Sequence, residues 1–425
     1  MEEKDGLFRY GILKMINFNS FLIDESIDKA LSSQVRKTIK GAGGKIYQIG
    51  GAVRDEILGK VSKDLDLLIV GVELDRLGKI LSQYGKVNLV GKSFGILKFT
   101  PEGSSEEIDV SVPRVDEKST GKGHKDFEVK LGKGITLQQD QLRRDFWMNA
   151  LAKDVDTGEV IDVEGQGKLD IENQQVRVIA PQAFKDDPLR MLRAVQFAAR
   201  FNFKIESNTL SQIKKNAKLI KTVSPDRFQE EFRKMFEKGT PSIGLKWFQD
   251  TGLSKQLFPK VRRFDDTKTM DLLAKPGFPG FIGMMLKDYG KKVSTLAQEK
   301  MRLSNHDAGA AQDVANFITH NPPKHSEDLV KFVSTLSKNG MNQIDIYLSA
   351  KGQKTISDRL KELKKRGIPT NLKELSVGGR ELTKLGLRGP KIGQALEWLL
   401  NFAIKKGTNN KNILLSAVEK EFGAK

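Results

Sequence analysis

Strand-like stretches are confined to the early part of the chain, and the later part reads as helix. Short apolar or alternating runs occur at Lys45–Ile49, Lys63–Val70, Lys86–Val90, Gly95–Thr100 and Glu107–Arg114. From Ser224 onward no strand alternation occurs, and helical patterns succeed one another with turns at Gly239-Thr240-Pro241, Lys275-Pro276-Gly277 and Asn321-Pro322-Pro323. Strands followed by helices, rather than alternating with them, place the chain in the α+β class: a small sheet-and-helix part and an all-α remainder. With 425 residues it is too long for one core, so two to four domains are expected.

Charge narrows the partners. Lys and Arg number 72 against 54 Asp and Glu, a net charge of +18, which points to a polyanion, above all nucleic acid. There is no cysteine, which excludes disulfide partners, thiolate metal sites and a cysteine nucleophile. Together with an acidic, mixed N-terminus unlike a signal peptide, this leads to the expectation of a cytoplasmic protein. No apolar run is long enough to span a bilayer, so no membrane partner is expected.

Several stretches carry chemistry. Residues 1–25 have no assignment, Asp24–Lys40 reads as one helix, and the strand Lys45–Ile49 runs into Gly50-Gly51 and a helix start. That turn aims backbone N–H groups at phosphate, with Arg54 one turn on to add charge; many Gly-Gly pairs, however, are only turns. Asp64 and Asp66 alternate with apolar residues and so share one face of their strand. Two carboxylates there suit a cation such as Mg²⁺, or an exposed loop where both are solvated. Asp109, on the alternating stretch Glu107–Arg114, is a third carboxylate that can complete a metal site, take a proton, or simply face solvent. Asp116–Phe127, with Gly121, Gly123 and His124, reads as a loop.

Gln138–Leu151 reads as an amphipathic helix in which Asp145 and Asn149 are i,i+4 neighbours and Arg144 lies beside them, able to meet a triphosphate. A second helix opens at Asp186-Asp187-Pro188 and runs to Arg200: the proline suits the first turn, and either aspartate can cap the free N–H groups. Asp187, Arg190, Arg193 and Gln196 step round one side, with Leu192, Val195 and Ala199 towards the other. Surface i,i+3 ion pairs explain such a stripe. So does a rigid ruler offering carboxylate and guanidinium groups to the edge of a nucleobase. Further on, Ser224-Pro225 starts a helix with a serine cap and proline at its first position. Basic clusters at Lys364-Lys365-Arg366 and Lys405-Lys406 suit a phosphate track or a solvated face.

The ordered set Gly-Gly-Ala-Val-Arg-Asp, Lys-Asp-x-Asp, Arg-Arg-Asp-Phe-x-x-Asn-Ala-Leu and Asp-Pro-Leu-Arg-x-Leu-Arg-Ala resembles class II tRNA nucleotidyltransferases. These are the CCA-adding enzymes, with the bacterial poly(A) polymerases as close relatives. The strong part of the likeness covers residues 45–235. The resemblance implies a nucleotidyltransferase head at 45–155, preceded by an N-terminal extension and helix at 1–44. It implies a neck with a nucleotide-template helix at 156–240, a helical body at 241–370 and a tRNA-binding tail at 371–425. It implies that Asp64 and Asp66 bind two Mg²⁺ ions and act in catalysis; Asp109, from its place on the neighbouring strand, is a further catalytic candidate. Gly51 and Arg54 would hold the triphosphate, helped by Arg144 beside Asp145 and Asn149. Asp187 and Arg190 would read CTP or ATP, assisted by Arg193 and with Gln196 next on the helix. The implied activity is addition of CCA to the tRNA 3′ end with release of pyrophosphate, the partner being the tRNA acceptor arm. A poly(A) polymerase or A-adding enzyme is the alternative within the family, and a non-catalytic tRNA-binding protein is the alternative outside it. The chain departs from the family where Asp186 replaces Glu, where Gln196 replaces Arg with loss of a charge near the nucleotide, and where Trp147-Met148 replaces a Thr-Ile pair.

Overall fold

The computed structural model describes residues 27–60, 65–90, 95–116, 129–262, 266–273, 277–320, 323 and 325–423. The chain divides into two compact units: Met1–Val223 with Asp250–Gln256, and Ser224–Gln249 with Leu257–Lys425. Of the sequence-predicted features, Asp64, residues 1–25, and the loop carrying Gly121, Gly123 and His124 lie outside the described residues.

The first unit is built on a seven-stranded sheet in the order β3-β4-β5-β2-β1-β8-β9. Its strands are β1 (Lys45–Ile49), β2 (Asp66–Val70), β3 (Gly85–Leu89), β4 (Ile96–Pro101), β5 (Ile108–Ser111), β8 (Ala152–Asp154) and β9 (Val160–Ile161). Two short strands, β6 (Arg114–Asp116) and β7 (Val129–Leu131), pair apart from it. All neighbours in the large sheet are antiparallel except β2 and β5. Alternation divides the sheet into two faces. Ile46, Leu67, Ile69, Leu97, Phe99, Ile108 and Val110 form one core with helices α1 (Ser33–Gly41) and α3 (Leu74–Leu81). Tyr47, Ile49, Leu68 and Ala152 cluster apart from that core, and Asp66 and Asp109 share their parity.

Two helices anticipated from sequence differ. The described part of Asp24–Lys40 is broken at Leu31-Ser32: Ser32 leaves helical geometry and its hydroxyl accepts from Val35 N–H, starting α1 afresh. Gln138–Leu151 is not one helix either. Helix α4 (Leu137–Leu142) ends before the arginine pair, Phe146 is extended at φ −134° and ψ 147°, and Trp147–Asn149 form one 3₁₀ turn. The cause is local and tertiary together. Asp145 turns its carboxylate onto the N–H of Phe146 at 2.9 Å, competing with a helical bond, and Phe146 bridges to Val178.

Helix α2 (Gly51–Ile57) follows β1, and Asp162 accepts from the N–H groups of Gly167 and Lys168 at the start of α5 (Gln166–Glu172). A parallel pair, β10 (Gln175–Val176) and β11 (Lys204–Ile205), precedes α8 (Ser207–Asn216). Between those two strands lie α6 (Ala183–Asp186) and α7 (Leu189–Phe201). Helix α7 buries Leu192, Ala194, Val195, Phe197, Ala198 and Ala199 and ends on Asn202 in the left-handed region at φ 57°.

The second unit is helical throughout its described residues. Helix Pro225–Lys238 has proline at its first position, but Ser224 makes no side-chain cap bond. Its Phe228, Phe232 and Phe236 join Phe248, Phe258, Phe278 and Phe281 in a buried aromatic core. Gly283 lets helix Phe278–Leu286 approach helix Asn305–His320 closely, since a Cβ there would lie 2.3 Å from Ala311 O. The last core gathers Val377, Leu382, Leu399 and Ala403 with Leu414 and Val418 of helix Lys411–Phe422. No helix among the described residues is long and apolar enough to cross a membrane.

Candidate active site

The end of the sheet at which β1 stops gathers the polar groups. Gln48 pairs with Leu67, so the next residues, Ile49 and Asp66, meet where β1 runs into Gly50-Gly51. On the other side of β2, Asp66 is the register partner of Asp109 on β5. Ser111 Oγ donates to Leu67 O at 3.0 Å, tying β5 to β2 beside that pair. Two carboxylates one strand apart on one face fit a hard divalent cation, which takes one or two carboxylates plus substrate phosphates. Among the described residues no larger group of His, Asp or Glu converges on a metal position. Asp109 is also paired: Lys98 Nζ lies 3.2 Å from its Oδ1 and 2.9 Å from Glu107 Oε1.

Beside the carboxylates lies a densely hydrogen-bonded arginine cluster. Gly50 has φ 73°, donates its N–H to Leu151 O at 3.2 Å, and would bring a Cβ within 3.3 Å of Arg144 Nη1. A Cβ at Gly51 would lie 3.3 Å from Arg54 Nη2, so glycine here lets the guanidinium fold back beneath the turn. Arg54 is only 3% exposed. It donates twice to Asp55 Oδ1, at 2.8 and 2.7 Å, donates to Asn149 Oδ1, and stacks near the rings of Phe197 and Phe201. Burial pushes its pKa down, against the pull of Asp55. Asp55 in turn accepts from Arg200 of α7 at 3.0 Å.

Arg144 is held by Asp140, at 3.0 Å, and reaches Asn149 O at 3.4 Å. Asp140 is fully buried and bonds Arg143 as well; burial raises its pKa, but the two guanidinium groups outweigh that and hold the carboxyl below its usual range. Asn149 Nδ2 donates to Asp145 Oδ1 at 3.0 Å, so the pairing expected from helical spacing exists without the helix. Helix α7 docks its polar edge here. Arg193 Nε donates to Asp145 Oδ2 at 2.7 Å, and Arg190 Nη2 to Arg143 O at 3.0 Å. Burial pushes Asp145 up, but Arg193 and Asn149 bring it below the ordinary carboxylate value. Asp187 Oδ1 accepts the N–H of Leu189, capping the helix as expected. Gln196 is buried at 2% exposure, deeper than its neighbours on the stripe.

Comparisons with known proteins give the family of the chain. The family described as the poly A polymerase head domain matches residues 46–177, and that of the probable RNA and SrmB-binding site of polymerase A matches 202–264. The Multifunctional CCA protein of Herminiimonas arsenicoxydans is 30% identical over 341 residues, 78% of this chain and 72% of that protein. The chain belongs to this family of CCA-adding and poly(A)-polymerase nucleotidyltransferases.

Similarity to other members is more local. The Multifunctional CCA protein of Xanthomonas campestris pv. campestris (strain B100) is 34% identical over 222 residues, 51% of each chain. The chain thus spans about half the length of the first curated relatives it matches. A solved structure of the Thermotoga maritima CCA-adding enzyme complexed with tRNA shares the fold, with a TM-score of 0.64, 21% identity, and coverage of 93% of this chain and 97% of that one.

Within this family fold, Gly51, Arg54, Arg144, Asp145, Asn149, Arg190 and Arg193 come together, and Asp66 and Asp109 lie at the same sheet end. Arg54 differs from its expected place at the phosphate: it points inward and braces Asn149 and α7. Sequence reasoning missed Asp140, Asp55, Arg200 and Lys98. Asp140 was legible, standing three and four residues before the two arginines it binds. Lys98 was not, because only the β4–β5 register brings it to Asp109.

Proposed function

We propose that the chain adds CCA to the 3′ end of tRNA from CTP and ATP, releasing pyrophosphate. The observation that carries this reading is the register of Asp66 and Asp109 beside Gly50-Gly51, with the α7 arginines docked next to them. The four-part division into head (45–155), neck (156–240), body (241–370) and tail (371–425), and a cytoplasmic location, belong to the same proposal.

In this reading Asp66, with Asp64 and Asp109, would hold two Mg²⁺ ions. A divalent cation held by these carboxylates would supply Lewis-acid chemistry, favouring deprotonation of the attacking 3′ hydroxyl and offsetting charge on the leaving phosphate oxygens. The N–H of Gly51 and the guanidinium of Arg144 face the triphosphate. Arg54 acts one layer beneath, keeping Asn149 and the glycine turn in place. Asp187, Arg190 and Arg193 present acceptor and donor edges to the incoming base, so that α7 serves as a template made of protein. Asp145 fixes the orientation of Arg193, and the buried Gln196 supplies amide bonding where the family has a further positive charge. The net charge of +18 supports a tRNA acceptor arm as the partner.

The test is primer extension on a tRNA lacking CCA, with Mg²⁺ and with CTP and ATP singly and together. Growth by three nucleotides with both, and by two with CTP alone, is expected. A long adenosine ladder with ATP alone would assign a poly(A) polymerase instead. Tight tRNA binding without extension would leave a non-catalytic RNA-binding protein.

A further inference from the structure

Lys98, Asp109 and Asp66 stand in one row across three strands. Lys98 on β4 is the register partner of Asp109 on β5, and Asp109 is the partner of Asp66 on β2. Register partners on neighbouring strands project on the same face, about 5 Å apart. The Lys98 ammonium sits between two carboxylates, 2.9 Å from Glu107 and 3.2 Å from Asp109. All three side chains are partly open to solvent, at 36%, 40% and 43% exposure, so none is fixed by packing. Salt bridges this exposed are weak and exchange partners at little cost.

We propose that Lys98 is a positioning residue that holds Asp109 in reserve. It pairs with both Asp109 and Glu107 while no cation is present, and withdraws onto Glu107 when Asp109 turns towards a divalent cation shared with Asp66. The inference rests on the nucleotidyl-transfer reading of this sheet end. It assigns roles to two residues, Lys98 and Glu107, that the reaction itself does not require. Glu107 gives the ammonium a second partner already in contact, so no charge is left unpaired when Asp109 moves. The Lys98–Glu107 pair therefore sets how readily the site accepts a cation before RNA arrives.

The experiment is a Mn²⁺ titration of the full chain without RNA or nucleotide, following free Mn²⁺ by electron paramagnetic resonance, with circular dichroism as the check on folding. Asp66→Asn is expected to abolish the tight site. Lys98→Met removes both the competing ion pair and a positive charge, and is expected to tighten Mn²⁺ binding about fivefold. Lys98→Arg keeps the pairing and is expected to stay within about twofold of the wild type. Glu107→Gln strands the ammonium on Asp109 and is expected to weaken binding about threefold, whereas Glu106→Gln, an equal charge change on a neighbour outside the pairing, is expected to change it less. If Asp66→Asn abolishes binding but Lys98→Met leaves it unchanged, the role of Lys98 is overturned while the metal reading stands. Equal effects of Glu106→Gln and Glu107→Gln overturn the exchange of partners. If Asp66→Asn binds Mn²⁺ as the wild type does, the metal reading fails and takes this inference with it.

Discussion

Asp66 and Asp109 face each other across the parallel strands β2 and β5, on the side of the sheet away from the core of α1 and α3. The β2–β5 pair is the only parallel one in the seven-stranded sheet, and it brings together residues 43 positions apart without any loop having to be placed. Asp66→Ala is therefore expected to reduce nucleotide addition by at least about 10³-fold while tRNA affinity changes only a few-fold, because the loss falls on charge stabilisation in the transition state. Single-turnover extension and filter binding measure the two quantities separately. Residual turnover near wild type would remove Asp66 from the reaction.

The Arg193–Asp145 pair joins α7 to the turn that carries Arg144. Asp145 is buried, while Arg193 is about one-third exposed. Removing Arg193 leaves a buried carboxylate without its main cation, which is expected to cost about 1–3 kcal/mol once partial exposure is allowed for. A double-mutant cycle of Arg193→Ala with Asp145→Asn should recover a coupling of that size from urea midpoints. Arg193→Lys is expected to keep most of the stability but to lose discrimination between CTP and ATP, since a point charge cannot offer the planar fork. Unchanged discrimination in both variants would take Arg193 out of base reading.

Much of this site was legible before its geometry was known, and the failures have specific causes. The Gly50-Gly51 turn, the strand runs of β1, β2 and β4, and the amphipathic α7 are local signals, and they fall close to where sequence placed them. Arg143–Leu151 misled because its helical spacing is real but its backbone is set elsewhere. Phe146 pairs with Val178, and Asp145 spends its carboxylate on a neighbouring N–H and on Arg193. Arg54 misled for the opposite reason. Its position one turn after the glycines suggested a charge offered to phosphate, and nothing local announces that the rings of Phe197 and Phe201 cover it.

The two glycines of the turn should respond differently. Gly50 has φ 73°, so Gly50→Ala combines backbone strain with a contact to Arg144 and is expected to cost about 1–3 kcal/mol of stability. Gly51 sits at the first position of α2, where any residue fits the backbone, but a methyl group would press on Arg54 Nη2. Gly51→Ala is expected to leave the urea midpoint almost unchanged and to raise KM for both nucleotides. An unchanged KM would separate Gly51 from the triphosphate.

Acid should loosen the C-terminal helices through Glu374. Burial pushes this carboxyl up, but Lys364 at 2.6 Å and the N–H and hydroxyl of Thr370, each at 2.8 Å, hold it down at about 2, against an ordinary 4.5. A depressed folded pKa means that the unfolded chain binds the proton first. The stability this contact contributes is thus complete above about pH 4.5 and is lost as pH falls towards about 2. The contact also sits at a junction, because Asn409 donates to Glu374 O at 2.8 Å and accepts from Ser376 N–H. The wild-type urea midpoint is expected to fall between about pH 6 and about pH 3, and that of Glu374→Gln to fall less, by an amount equivalent to about 1 kcal/mol for so accessible a pair. Tryptophan fluorescence of a variant in which only Trp398 is kept reads this unit directly, since Trp398 packs on its core and stacks 5.2 Å from Phe402. A variant midpoint that drops as far as the wild type's would place the acid sensitivity in other carboxylates.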